Sequence, residues 1–103
     1  MVPYYPKKQV LELFGFDESF LETLEAEELV TAIEVESYEE KVYPPDQLER
    51  MRIIHTLMHE LDVNLPGVEV VLTMRENMIL MERQFQQIIS TLVQELKIRL
   101  ENY

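Results

Sequence analysis

The feature that most constrains this chain is a long stretch near its C-terminal end that lacks helix-breaking residues. Pro66 begins it, no Pro or Gly follows Gly67, and it runs to Leu100. A helix of about 35 residues, at ~1.5 Å per residue, is roughly 50 Å long. A domain of this size is only about 26 Å across, twice its ~13 Å radius of gyration. The helix must therefore extend beyond its own domain.

Apolar residues along this helix follow the spacing of a coiled-coil seam. Steps of three and four residues alternate along it, which is typical of helices that pair side by side. The seam residues are Val71, Met74, Met78, Met81, Phe85, Ile88 and Leu92. Met packs adaptably, so a groove for a partner helix is an alternative, but the length of the stripe favours a dimer. We expect a homodimer, with a monomer whose helix folds back as the other possibility.

The charge of the chain is acidic and uneven. The net charge is −11, and residues 1–43 contain eleven acidic residues against three lysines. A nucleic-acid-binding surface needs Lys and Arg to replace the counterions of the phosphates. An acidic surface instead repels phosphate and attracts basic partners, although it also serves simply to maintain solubility. The charge therefore argues against nucleic acid as a partner.

Several classes of function are disfavoured by what the sequence lacks. The chain has no Cys, which excludes disulfides and thiolate chemistry. No apolar run approaches the roughly 20 residues of a membrane span, and residues 1–8 lack the apolar core of a signal peptide. We therefore expect a cytoplasmic protein that does not contact a membrane.

Catalysis and metal binding are also not expected. No Ser-His-Asp, P-loop or Rossmann signature is present, so we predict neither enzymatic activity nor a cofactor. His55 and His59 are four residues apart and share one face of a predicted helix, a spacing that suits a metal. No third ligand stands at a recognisable spacing, so we interpret them as ordinary histidines.

The N-terminal region predicts two short helices joined by a tight turn. Pro6 precedes a helix from Lys7 to Phe14, which Gly15 ends. Asp17 is placed to cap a second helix, from Glu18 to about Glu27. Its inward residues are Phe20, Leu21 and Leu24. The pair forms either a helix-turn-helix unit or two unrelated helices of a small α protein.

A small β-hairpin, or wing, and a third helix follow. Residues 33–35 and 41–43, each with two apolar side chains, flank a polar middle, which favours two short strands. Pro45 stands near the start of the third helix, and Asn64 is expected to take the left-handed conformation that ends it. The apolar stripe of this helix comprises Leu48, Met51, Ile54, Leu57, Met58 and Leu61.

These segments resemble MerR-type transcription regulators. Residues 15–30 resemble their helix-turn-helix, and residues 43–51 resemble the start of the helical pair after their wing. Residues 61–72, with Pro66 and Gly67 between apolar residues, are similar to the corresponding junction of the CbpM-type chaperone modulators. These are small MerR-like proteins that bind a J-domain co-chaperone of the CbpA class.

The resemblance implies a fold and an assembly. The fold is mainly α: a MerR-like winged helix-turn-helix with a small β-hairpin wing in residues 1–64, and a long C-terminal dimerisation helix in residues 65–103. By the same resemblance, two such helices pair antiparallel. MerR-type regulators place an Arg on the second helix to contact DNA phosphate, and the matching residue here is Glu22. Lys41 retains a basic residue in the wing, but the acid at 22 argues against DNA binding of the MerR type.

The acidic second helix is the strongest candidate for a partner-binding surface. Glu18, Glu22 and Glu25 share one predicted face, and like charges four apart destabilise a helix by a few tenths of a kcal/mol. A basic partner would relieve this cost, and the resemblance implies that J domains engage Hsp70 through a basic helix. The predicted partner-binding residues are Asp17, Glu18, Glu22, Glu25 and Glu28. We therefore predict a non-enzymatic modulator that binds a J-domain co-chaperone, with a MerR-type DNA-binding regulator and an acidic scaffold or DNA mimic as alternatives.

Overall fold

A computed structural model describes residues 3–102, so Met1, Val2 and Tyr103, the ends of the two predicted regions, lie outside it. Its elements are β1 (Tyr5–Pro6), α1 (Lys7–Phe14), α2 (Glu18–Ala26), β2 (Val42–Tyr43), α3 (Pro45–His55), a π-helical turn (Thr56–Glu60) and α4 (Leu65–Glu101). The chain forms two compact units, here called the head, up to Glu69, and the arm, from Val70 onward. The mainly α fold, with a small two-stranded antiparallel sheet and a long C-terminal helix, is confirmed.

The first two helices have the predicted boundaries, with α2 ending one residue early. Gly15 ends α1 with φ of 67°, a left-handed conformation that an L side chain adopts only with strain. Asp17 caps α2 as predicted, because its carboxylate accepts a hydrogen bond from the Phe20 amide at 2.7 Å. The two caps set the tight turn of the helix-turn-helix.

The sheet differs in detail from the predicted wing. Ile33 and Val42, one residue from each predicted arm, form a single bridged pair, joined by hydrogen bonds of 2.8 and 2.9 Å. The paired strands are instead β1 and β2, which run antiparallel with Tyr5 opposite Tyr43 and Pro6 opposite Val42. A two-residue strand has too few positions to show period-two alternation, so the sequence did not reveal β1.

The third helix ends differently from the prediction. α3 stops at His55, and the π-helical turn follows it. The left-handed residue is Asp62, with φ of 53°, and not Asn64. Asn64 has another role, because its side-chain oxygen accepts a hydrogen bond from the Gly67 amide at 2.9 Å and so satisfies the first turn of α4. Leu61, the last residue of the predicted stripe, is exposed after the π-helical turn.

Gly67 is required by this junction. A Cβ at this position would lie 2.7 Å from Val63 Cγ1 and 3.1 Å from Asn64 Oδ1. The first distance is shorter than a carbon–carbon contact allows, so a side chain would displace Val63 and press on Asn64, the two residues that precede α4. The Pro-Gly pair therefore has a physical reason: Pro66 suits a helix start, and Gly67 leaves room for the cap.

The core of the head is small and apolar. Leu21 and Leu24, two of the three predicted inward residues of α2, are fully buried, whereas Phe20 is half-buried. Other fully buried residues of the head are Val10, Val30, Val42, Met51, Ile54 and Val68. Arg50 joins α3 to the loop after α2, because its Nε donates to the Leu29 carbonyl at 2.7 Å. The core therefore holds α2 and its surface in a fixed position.

Candidate partner-binding surface

The predicted partner-binding residues lie on α2 or next to its ends, and the structure gives each a different environment. At the start of the helix, the Asp17 carboxylate also accepts a hydrogen bond from the Ser19 hydroxyl at 2.9 Å. The hydrogen bond from the Phe20 amide, followed by that from Ser19, lowers the pKa of Asp17 below its ordinary value. Asp17 therefore stays ionised at neutral pH and contributes a fixed negative charge to this end of α2.

Glu18 and Glu22 are exposed, and a lysine of α1 partly neutralises them. Lys7 Nζ lies 2.5 Å from Glu18 Oε1, so the first residue of α1 is tied to the first residue of α2. This hydrogen bond raises the pKa of Lys7, and the charges of Glu22 and Glu25 add to the effect. The acidic helix therefore receives some internal compensation, which sequence spacing within α2 did not show.

Glu25 is half-buried rather than exposed, which corrects one part of the predicted face. The Tyr43 hydroxyl donates a hydrogen bond to Glu25 Oε1 and so links α2 to β2. Burial raises the pKa of Tyr43 well above its ordinary value, and the carboxylate of Glu25 adds to the shift. Tyr43 is therefore a neutral donor at physiological pH, and Glu25 has a structural contact as well as a charge.

Glu28 follows the end of α2 with an unusual backbone. Its φ is 59°, and its amide donates to the Glu25 carbonyl at 3.0 Å. Glu25 and Glu28 line a groove of about 550 Å³ together with Lys41, the basic residue of the wing. The structure thus separates the five predicted residues into an exposed group at the start and middle of α2 and a second group beside the wing. We call Asp17, Glu18 and Glu22 the acidic face.

The predicted dimerisation residues are solvent-exposed in the single chain. Exposed fractions run from 36% at Val71 to 67% at Met78. All seven belong to α4, and the residues of the arm from Glu82 to Asn102 are exposed on every side. A long apolar stripe without cover is unfavourable in water, as expected for a surface that pairs with something else.

The histidine pair lies beside a group of aromatic rings. His55 and His59 have ring centroids 4.5 Å apart, and His55 is 6.1 Å from Phe16 and 6.4 Å from Phe14. Among residues 3–102, no group of three or more His, Asp or Glu side chains is arranged to hold a metal ion. Within the same range, no helix is long and apolar enough to cross a membrane.

The comparison with known families identifies the class. Residues 6–94 match the family described as MerR HTH family regulatory protein. The match spans most of the chain, so the protein belongs to the MerR helix-turn-helix family, and this part of the sequence-based resemblance is confirmed. No curated protein and no solved structure matches the chain.

Proposed function

We propose that this protein is a non-enzymatic chaperone modulator, which binds a J-domain co-chaperone and restrains its action on Hsp70. The observation that carries the proposal is the exposed carboxylate of Glu22. It occupies the position on the second helix of the helix-turn-helix where, by resemblance, MerR-type regulators carry a phosphate-binding Arg. A carboxylate repels phosphate and attracts the Lys and Arg side chains of a protein.

The charge of the whole head supports a basic partner. Residues 1–69 contain sixteen acidic and five basic residues, so the head accounts for a net charge of −11. A field of this sign accelerates the approach of a basic protein and opposes that of nucleic acid. The resemblance of residues 61–72 to the CbpM-type modulators supports the J domain, which engages Hsp70 through a basic helix, as that partner. Occupying the basic helix would restrain the co-chaperone.

The proposed assembly is a cytoplasmic homodimer without a cofactor. The exposed stripe from Val71 to Leu92 is the proposed seam, with the two helices antiparallel by resemblance to the family. A seam of this kind removes apolar side chains from water, which stabilises the dimer by roughly 25 cal/mol per Å² of apolar surface buried. Each dimer would then present two acidic faces, so that it could engage two J domains.

A second candidate function is DNA-binding transcription regulation of the MerR type. The family match favours it, because the description of that family is a regulatory protein with a helix-turn-helix. Lys41 also places one basic residue in the wing. The carboxylates of Glu18 and Glu22 stand against it, because each neutralised phosphate requires a cation at the interface.

A charge reversal with a matched control tests the proposal. Glu22→Lys is compared with Glu12→Lys, which makes the same charge change at an exposed position of α1. Calorimetric titration with the purified J domains of the same organism should show one that binds the wild type. For that J domain, Glu22→Lys should weaken binding about tenfold, about 1.4 kcal/mol, and Glu12→Lys far less.

Two outcomes would contradict the proposal. If no J domain binds the wild type, the modulator function fails. A gel-shift assay on DNA at low salt addresses the second candidate, since even non-specific basic binders retain DNA under these conditions. Clear retention by the wild type would favour the regulator over the modulator.

A further inference from the structure

A pocket of about 330 Å³ lies where the turn between α1 and α2 approaches the π-helical turn. Its lining consists of Gly15, Phe16, Asp17, Phe20, Met58 and His59. We call it the turn pocket. Sequence reasoning treated Phe20 and Met58 as core residues, but both keep part of their surface exposed.

The walls of the turn pocket are built mainly from aromatic and thioether groups. Phe16 is buried and packs edge-to-face against Phe20, with ring centroids 4.9 Å apart. Phe16 is also 6.1 Å from His55, whose ring packs against His59. These contacts fix one wall, whereas Met58 is an adaptable side chain on another. Met58 and His59 belong to the π-helical turn, a rare geometry found frequently at functional sites.

The turn pocket is continuous with the acidic face. Asp17 belongs to both, and its neighbour Glu18 is exposed immediately beyond it. The mouth of the pocket therefore carries negative charge, so an occupant gains from positively charged groups beside the part that enters the pocket. Sites for small molecules have volumes of ~300–1,000 Å³ and enclose most of their ligand. This pocket is at the lower limit, which suits one or two protein side chains.

We infer that the turn pocket receives an apolar side chain, such as Leu or Phe, from the basic partner helix that binds the acidic face. The inference rests on the proposed function and adds the apolar part of the recognition. Interfaces are typically anchored by a few side chains buried in pockets and surrounded by polar contacts. An apolar residue flanked by Lys or Arg fits an aromatic wall beside Asp17 and Glu18.

Variants at Met58 test the pocket. Met58→Gln keeps the length of the side chain but makes it polar, and Leu61→Gln makes a similar change at an exposed position outside the pocket. In titrations with the J domain that binds the wild type, Met58→Gln should weaken binding about tenfold and Leu61→Gln less than twofold. Met58→Lys should weaken binding more than Met58→Glu, because the occupant is flanked by positive charge. Circular dichroism melts confirm that each variant is folded.

A measurement on the unaltered protein provides a second readout. With 13C-methyl-labelled methionine, addition of the J domain should shift the Met58 methyl resonance, while that of Met78, in the arm, stays unchanged. If Met58→Gln and Met58→Lys bind like the wild type and the Met58 resonance does not move, while Glu22→Lys weakens binding as expected, the inference about the pocket is wrong and the proposed function stands. If no J domain binds the wild type, both are overturned. A shift with a small apolar probe such as benzene but not with the J domain would indicate a small-molecule site and also overturn the inference.

Discussion

The head and the arm differ in both charge and burial. The head, residues 1–69, has sixteen acidic and five basic residues, whereas the arm, residues 70–103, has four of each and no net charge. The head encloses an apolar core, while the arm leaves large apolar side chains in solvent. Exposed large apolar residues of the arm are Val70, Val71, Met74, Met78, Leu80, Met81, Phe85, Ile88, Ile89, Leu92, Val93, Leu96, Ile98 and Leu100.

This difference separates two kinds of association. An arm without net charge meets no electrostatic barrier to a second copy of itself, because its positive and negative charges are equal in number. A head with a net charge of −11 repels another head and attracts a basic protein. The proposed function assigns self-association to the arm and binding of a basic partner to the head, and variants in each region separate the two.

The largest expected effect on stability is in the core of the head. Leu24 is fully buried, whereas Leu80 in the arm is 53% exposed and is not a seam residue. Leu24→Ala should lower the free energy of unfolding by about 2–5 kcal/mol, because it removes buried methyl groups and leaves a cavity. Leu80→Ala should change it by less than about 0.5 kcal/mol. Urea denaturation monitored by circular dichroism checks both, and equal losses would contradict the division into a packed head and an uncovered arm.

The next effect concerns self-association through the arm. Met81→Glu places a charge in the middle of the proposed seam, where pairing would bury it, and should raise the dimer dissociation constant at least about a hundredfold, about 2.7 kcal/mol. Gln87→Glu adds the same charge to the arm outside the seam. Light scattering after size-exclusion chromatography should detect a monomer for Met81→Glu and a dimer for Gln87→Glu. A wild-type protein that is already monomeric would refute the seam.

A smaller effect is expected at the cap of α2. Asp17→Ala removes the acceptor of the Phe20 amide and should lower the melting temperature of the head by roughly 4–8 °C. The pKa of Asp17 is lower in the folded protein than its ordinary value of 3.8, so folding favours the ionised form. The contribution of Asp17 to the stability of the fold is therefore complete above its ordinary pKa. It is lost as the pH falls through the lower pKa of the folded protein.

Asp17→Asn is the matched control for this prediction. Asn is also a good N-cap but does not ionise at acidic pH. At pH 7, Asp17→Asn should melt at nearly the same temperature as the wild type. Between about pH 5 and pH 2, its stability should decrease less than that of the wild type. If thermal melts show the same decrease in stability at acidic pH for Asp17→Asn and the wild type, Asp17 does not contribute to that decrease.

The smallest effect is expected at Lys7. Exposed ion pairs contribute little to stability, so Lys7→Gln should leave the melting temperature nearly unchanged. The variant releases Glu18 for a basic partner, and the affinity for the J domain should rise on the order of twofold. Lys8→Gln makes the same charge change at the neighbouring exposed residue and should raise the affinity less. Equal gains in calorimetric titration would show a general effect of charge rather than a contact at Glu18.

Much of the fold followed from local signals in the sequence. Gly15 and Asp17 end one helix and begin the next, and the structure confirms both. These signals are reliable because they depend on the conformation of one residue or on a hydrogen bond across three. The long helix was equally evident, because a stretch of this length without Pro or Gly and with helical spacing of its apolar residues favours a single helix. The left-handed residue is Asp62 and not the predicted Asn64. It follows the π-helical turn, which no local sequence pattern predicted.

The candidate site was less accessible to sequence reasoning. The spacing of Glu18, Glu22 and Glu25 placed them on one face, but it could not show that Tyr43 binds Glu25 or that Lys7 binds Glu18. Both contacts join residues that are eleven or more positions apart, so they depend on how the elements pack. The turn pocket was missed for the same reason, because only the folded head brings Met58 to the same pocket as Phe16 and Phe20.

The sequence by itself determined where the helices begin, how long the last one is, and that the negative charge belongs to the head. These properties depend on residue type and on spacing of a few positions. Only the tertiary structure decided which acidic residues are fully exposed, because it leaves Glu25 half-buried and bound by Tyr43 while Glu22 stays in solvent. The acidic face and the turn pocket arise from contacts between distant segments, which no local pattern encodes.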